Sequence, residues 1–230
     1  MPTTTETFNG FSPEAIQFLA DLAANNDRAW FQPRKADYER LLKEPLEALV
    51  AALAERFEAR GIPLQADPKR SIFRIYRDTR FSKDKSPYKT NVGASFPWVE
   101  AGSPGGGAHS NGGYFHFQPG EMYMGGGMWH PEPAKLAAFR QLVDKGKGLE
   151  ALDDPDFVAA FGGIHGETLA RVPQGFAKDH PRAELLKLKD LTFGHRLSDR
   201  EVLSPDLPDT LATDFAKAIP VFRLLGSLQA

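Results

Sequence analysis

The apolar residues of this chain change period twice, and the two changes decide its architecture. Up to Gly61 they recur at helical spacing, from Ser71 they alternate, and after Pro133 the helical spacing returns. Strands gathered in one central run and joined by turns pair with their sequence neighbours, which makes the ladders antiparallel. The pattern predicts a single α+β domain over residues 1–230, with a mainly antiparallel central sheet covered by N-terminal and C-terminal helices.

Local chemistry marks most boundaries. Ser12-Pro13-Glu14 offers an N-cap, a proline whose missing N–H is harmless at the first helical position, and an acid facing the positive end of the helix dipole. With Ile16, Leu19, Ala20 and Ala23 at helical spacing, the first helix runs to about Ala24, where Asn25-Asn26-Asp27 stops it. Residues 28–57 read as one or two helices led by Trp30 and Phe31, kinked or restarted at Pro45 and closed by Gly61 and Pro63. Later helices are expected at 133–145 with Gly146 beyond the end, at 155–161 after Asp154, from Pro181, and at 208–225 with a kink at Pro220. Ser198 and Glu201 stand at capping-box spacing.

Strands are expected at 72–77, 91–99, 113–118, 121–124, 168–172 and 191–197. The third and fourth form a hairpin about Pro119-Gly120 that ends at Gly125-Gly126-Gly127, with Tyr114, His116 and Gln118 on one face and Phe115 and Phe117 on the other. In the first strand each face carries apolar bulk and an arginine: Phe73, Ile75 and Arg77 on one, Ile72, Arg74 and Tyr76 on the other. The loop AGSPGGGAHSNGG, rich in glycine and followed by no helix start, reads as a mobile connection rather than a phosphate cradle.

Charge is distributed unevenly. Residues 69–89 hold eight lysines and arginines against Asp78 and Asp84, a balance of +6 in a chain of net charge -2. Phe73, Tyr76, Phe81 and Tyr88 are interleaved with those charges, the look of an anion-facing surface. A sequence pI near 6.3 argues against wholesale coating of nucleic acid, which needs a broad basic face. Zero cysteines exclude disulfides, thiolate metal sites and cysteine nucleophiles. The polar opening lacks the layout of a secretory signal and no apolar run is long enough to span a bilayer, so a cytoplasmic protein with no membrane partner is expected.

Three constellations could carry function. The first is Arg74, Arg77, Arg80, Lys83, Lys85 and Lys89, forks and point charges suited to phosphate or carboxylate; the alternative is a solvated loop whose arginines pair with Asp78 and Asp84. In the second, Tyr114, His116 and Gln118 share a strand face, with Trp129 and His130 after the glycine run; His116 is the one candidate proton-transfer group, against the plain reading of a hydrogen-bonded sheet histidine. The third, Arg171, Lys178, Asp179 and His180, is mostly explained as helix-start chemistry, though Lys178 and His180 could close an anion pocket from the other side. The histidines show neither HxH nor HExxH spacing, and no phosphate loop, dinucleotide fingerprint or nucleophile elbow is present, so no metal site and no cofactor is expected.

In combination and order, RIYRDTRFSKDKSPYKTN, GGYFHFQPGEMYMGGGMW and RVPQGFAKDHPRAELLKLK make the chain resemble a widespread family of conserved hypothetical proteins, the domain of unknown function numbered twenty-four sixty-one. The resemblance covers nearly the whole chain and implies one full-length domain. That family has no established activity, so it supplies no catalytic residues. The residues themselves lead to a small anionic ligand held by Arg74, Arg77, Arg80, Lys85, Tyr88, Lys89 and His116, with Lys178 and His180 as outer members. The alternatives are a nucleic-acid module, in which Phe81 and Tyr88 stack on bases, and a protein-interaction domain presenting the glycine-rich loop.

Overall fold

The structure, a computed structural model, describes residues 7–100 and 111–228. It begins with a helical block: α1 (Pro13–Ala24), the short α2 (Arg28–Phe31) and α3 (Lys35–Tyr38), and the long α4 (Glu44–Arg60). A π-helical turn at Glu39–Lys43 precedes α4, so Pro45 sits at its second position, where a restarted helix tolerates proline. Asp27 caps α2 by accepting from the Trp30 amide, and Gly61, left-handed at φ 63, ends α4. The buried stripe of α1 is Ala15, Phe18, Leu19 and Leu22, rotated from the stripe expected at Ile16, Ala20 and Ala23 because Phe18 and Leu22 have more surface to bury.

Four antiparallel strands follow in the order β1 (Val92–Pro97), β2 (Gly112–Phe117), β3 (Tyr123–Met128) and β4 (Leu191–Arg196). Between β3 and β4 the chain makes α5 (Pro133–Lys145), α6 (Pro155–Phe161) and α7 (Ala183–Lys187); after β4 come α8 (Asp199–Val202), α9 (Leu207–Lys217) and α10 (Ile219–Gly226). The architecture is α+β, as the period changes imply. The capping box of Ser198 and Glu201 forms in full, Asp154 caps α6, and Pro220 lies just past the break at Ala218 that separates α9 from α10.

Three expectations about strands are corrected. The glycine triplet does not end the hairpin but continues β3, since Gly126 pairs with Phe193 and Gly127 with Thr192. Residues 168–172 keep only the bridge from Thr168 to Leu188. Residues 71–77 are not a full strand: the Ser95 amide donates to Ser71 O and the Phe73 amide to Gly93 O, after which the segment leaves the edge of β1 and pairs with its own continuation, Arg77 N to Pro87 O and Lys89 N to Ile75 O. The cause is Asn26, whose side chain donates to Tyr88 O and accepts from Tyr88 N at 3.0 and 3.1 Å, tying that continuation to the N-terminal helices instead of the sheet. Phe73 is therefore exposed while Ile75 is buried, and the shared face expected for them is broken.

One face of the sheet carries the core. By register, Val92, Ala94 and Phe96 align with Gly113, Phe115 and Phe117, then with Met124, Gly126 and Met128, and finally with Leu191, Phe193 and His195. The rings of Phe215 in α9 and Phe222 in α10 occupy the space over Gly113 and Gly126, where a Cβ would stand 2.7 and 2.6 Å from them. Phe11 packs on Phe117 at 4.6 Å, Phe57 of α4 on both Phe96 and Phe215 at 5.7 Å, and Phe157 and Phe161 of α6 on Phe193. His195, at the end of the core face, reaches α9: Nε2 lies 3.0 Å from Asp214 Oδ2 and Nδ1 faces the Arg196 carbonyl at 3.1 Å. With acceptors at both ring nitrogens the imidazolium is favoured, and the Asp214 hydrogen bond raises the His195 pKa despite burial.

Phe117→Ala should cost roughly 3–5 kcal/mol, read as a shift in urea midpoint, because Phe117 is fully buried. Gly126→Ala should destabilise without any loss of buried side chain, since Phe222 must move, and the same measurement on Gly120→Ala, where a Cβ meets no atom but φ is +76, separates crowding from backbone strain. For His195, the folded pKa is raised, so its stabilisation is complete below the ordinary histidine value of about 6.5 and is lost as pH rises through the higher folded value. The stability gap between wild type and His195→Gln should accordingly narrow as pH is raised across that window; a gap independent of pH would refute the charged pair.

Candidate functional site

The second face of the sheet is built differently. Its side chains are Ser95 and Pro97 from β1, Tyr114 and His116 from β2, Tyr123 from β3, and Thr192 and Arg196 from β4. Tyr114, His116 and Tyr123 are each half-buried, and they form one aromatic group: His116 stacks on Tyr123 with centroids 4.9 Å apart, and Tyr114 meets Tyr123 at 5.5 Å. The Tyr114 phenol leans across β1 towards Gly93, where a Cβ would stand in ordinary contact with its oxygen at 3.4 Å. That oxygen is 2.9 Å from His116 Nδ1, and the Asn91 amide approaches the same nitrogen at 3.5 Å. His116 Nε2 is buried and has no hydrogen-bond partner among the described residues.

Burial sets the proton states here. It pushes the His116 pKa down, against the pull of Glu121 and Gln118, and pushes those of Tyr114 and Tyr123 up. Near neutrality the group is therefore two intact phenols and an uncharged imidazole. Phe73 abuts Tyr114 at 6.0 Å, and the Lys89 ammonium lies 5.1 Å over the Phe73 ring, so the basic segment reaches this face through one phenylalanine. The Lys89 pKa is lowered by burial and then by the nearby Arg74 charge.

The expected cations do not all meet at this place. Arg77 is paired to Asp84, whose carboxylate also accepts from Ser86 N and Oγ, and Arg80 makes a bidentate pair with Asp78 at 3.0 and 2.7 Å. Lys85 donates to the Thr79 carbonyl at 2.9 Å. Asp84 and Asp78 are held below the usual carboxylate range, Asp84 mainly by Ser86 and Asp78 by Arg80. The loop thus follows the internal ion-pair alternative, with Asp84 folding back onto Arg77 from seven residues on. Arg74 and Lys89 have no carboxylate within ion-pair distance among the described residues.

Tyr88 is corrected from ligand contact to core residue: it is 1% exposed and stacks on Phe31 at 4.1 Å. His180 turns Nδ1 to the Arg182 amide at 3.0 Å just before α7, a helix-start contact, and neither it nor Lys178 shows a contact with residues 69–89. Trp129 and His130 stand beyond Met128, at the opposite end of β3 from Tyr123, and so do not join the His116 group. The glycine-rich loop expectation, residues 101–113, falls mostly on 101–110, outside those described, while Gly112 and Gly113 at its end belong to β2. An apolar depression lined by Phe57, Ile62, Leu64 and Val99 contains none of the expected site residues, and Glu58 on its wall suits no anion.

Sequence reading missed two acids. Asp214 joins His195 and Lys217 across a separation of 19 residues from the histidine, and the buried Asp190 accepts from His130 and from the Glu167 amide. Neither has a local motif, and Asp190, directly after Lys189, reads in the sequence as an ordinary surface acid. Among the described residues no three histidines or acids stand together as a metal site, and no helix is long and apolar enough to cross a membrane.

Comparison with known proteins adds the family and nothing on chemistry. No curated protein matches the chain, and no solved structure does. The family model described as Conserved hypothetical protein (DUF2461) matches residues 14–223, most of the sheet and its helices included, and the chain belongs to that family.

Proposed function

We propose that the protein binds a small phosphate- or carboxylate-bearing ligand at the second face of the sheet, where Lys89, with Arg74 near it, approaches the Tyr114 and His116 group across Phe73. One observation carries this reading. Arg70, Arg77 and Arg80 of the same segment each have a carboxylate partner, whereas Lys89, partly withdrawn from water, has a like-charged arginine near it and no acid at ion-pair distance among the described residues. Two cations so placed repel, and an anion between them removes the repulsion while recovering charge-assisted hydrogen bonds. The Tyr114 phenol stands close by on His116 Nδ1, and His116, uncharged near neutrality, adds no charge of its own to the site. Arg77, Arg80, Lys85, Lys178 and His180 lie outside this version of the site.

A second reading has one observation in its favour. Phe81 is 94% exposed and the Arg80 guanidinium sits 5.8 Å over its ring, an arrangement suited to stacking on a base of single-stranded nucleic acid. The two separate by salt: phosphate tracking along a strand gives a steep fall in affinity with salt, a two-cation anion site a shallow one.

Phosphate, sulfate and citrate should each raise the melting temperature of wild type, and Lys89→Met or Arg74→Met should weaken phosphate binding by about 1.5–3 kcal/mol, the worth of a hydrogen bond to a charged group. Arg77→Met and Arg80→Met should keep the wild-type shift. Equal shifts in all four variants, or none in wild type, would remove the proposal, and oligonucleotide binding lost in Phe81→Ala would install the second reading instead.

A further inference from the structure

His130 is the one residue other than glycine with a left-handed backbone among those described, at φ 51. Such a conformation costs energy in a side-chain-bearing residue and persists where surroundings enforce it. Here the enforcing group is Asp190, whose side chain is 4% exposed. One of its oxygens accepts from both the backbone N and the ring Nδ1 of His130, each at 2.8 Å, and the other accepts from the Glu167 amide at 3.2 Å. Trp129 stacks on the imidazole at 4.1 Å and fixes its plane. The imidazole itself is half exposed.

These contacts select one tautomer. A carboxylate can only accept, so Nδ1 carries the proton, and the lone pair of the neutral ring is on Nε2. We propose that His130 and Asp190 form a general-base pair, with His130 Nε2 the atom that takes a proton from water attacking a small uncharged ester. Asp190 is a positioning residue: it stays ionised and holds Nδ1–H. As Nε2 accepts the proton, the water oxygen bonds to the acyl carbon; the ester C–O bond then breaks, and the imidazolium returns the proton to the leaving oxygen. The substrate is uncharged because the ionised Asp190 carboxylate stands directly behind the ring, while the Glu167 charge is offset by Lys189 at 3.2 Å. A phosphate would be repelled here, unlike at Lys89. The pair is independent of the anion site, at the other end of β3.

Two measurements test it. In 15N-labelled wild type, the His130 ring should show the Nδ1–H tautomer at pH above its titration. Hydrolysis of 4-nitrophenyl acetate, corrected for buffer, should fall by more than about fivefold in His130→Asn, a substitution that tolerates the left-handed backbone, and should be unchanged in His165→Gln, an exposed histidine elsewhere. A smaller fall, an equal fall in His165→Gln, or an Nε2–H tautomer would overturn the proposal. The tautomer measurement decides even if His130→Asn fails to fold.

Discussion

Phe215 and Phe222 rest directly on the backbone of the sheet, and the helical layer takes its position from that contact. Each ring enters a notch that exists because Gly113 and Gly126 have no side chain, so the helices α9 and α10 come close enough for Phe57, Phe96, Trp98 and Phe193 to pack around the two rings. The closeness has a directional consequence. With the core face committed to large aromatic residues, the polar residues of the strands, Tyr114, His116, Tyr123 and Arg196, are left to the second face by the alternation of the pleat. The candidate site is thus the complement of the core: it lies on the face to which the pleat turns the polar side chains.

How far this was legible depended on the range of each interaction. Helix ends rest on residues within four positions, so Ser12-Pro13, Asp154-Pro155, Ser198 with Glu201, and Gly146 could be read directly and their helices begin or end where expected. The alternation of Tyr114 and His116 with Phe115 and Phe117 was equally local. The glycine triplet misled because local turn chemistry and tertiary packing ask for the same residue, and only the close approach of Phe222 to Gly126 and of the β4 backbone to Gly125 and Gly127 distinguishes them. Residues 71–77 misled because their strand pattern was answered by a side chain 62 residues from Tyr88 in sequence.

The basic segment shows why composition overstated the site. Its charges are real, but Asp78 and Asp84 are spaced so that the chain can fold back and neutralise Arg80 and Arg77. Such exposed pairs are too weak to hold the fold, yet they choose which cations remain available. Counting charge found eight; pairing with acids removes Arg70, Arg77 and Arg80, and of the rest Lys89 reaches the Tyr114 group through Phe73, with Arg74 near it.

Asn26 has a further effect. By supplying one acceptor and one donor to Tyr88, its carboxamide imitates the peptide group of a neighbouring strand and ends the pairing there. At the edge of β1, Gly93 O and Ser95 N are likewise taken, by Phe73 and Ser71, and at the edge of β4 His165 occupies both groups of Thr192. The middle of the β1 border and the start of the β4 border are therefore already paired among the described residues, which guards those positions against edge-to-edge aggregation. Strand addition between copies is blocked there by a few short segments and one amide.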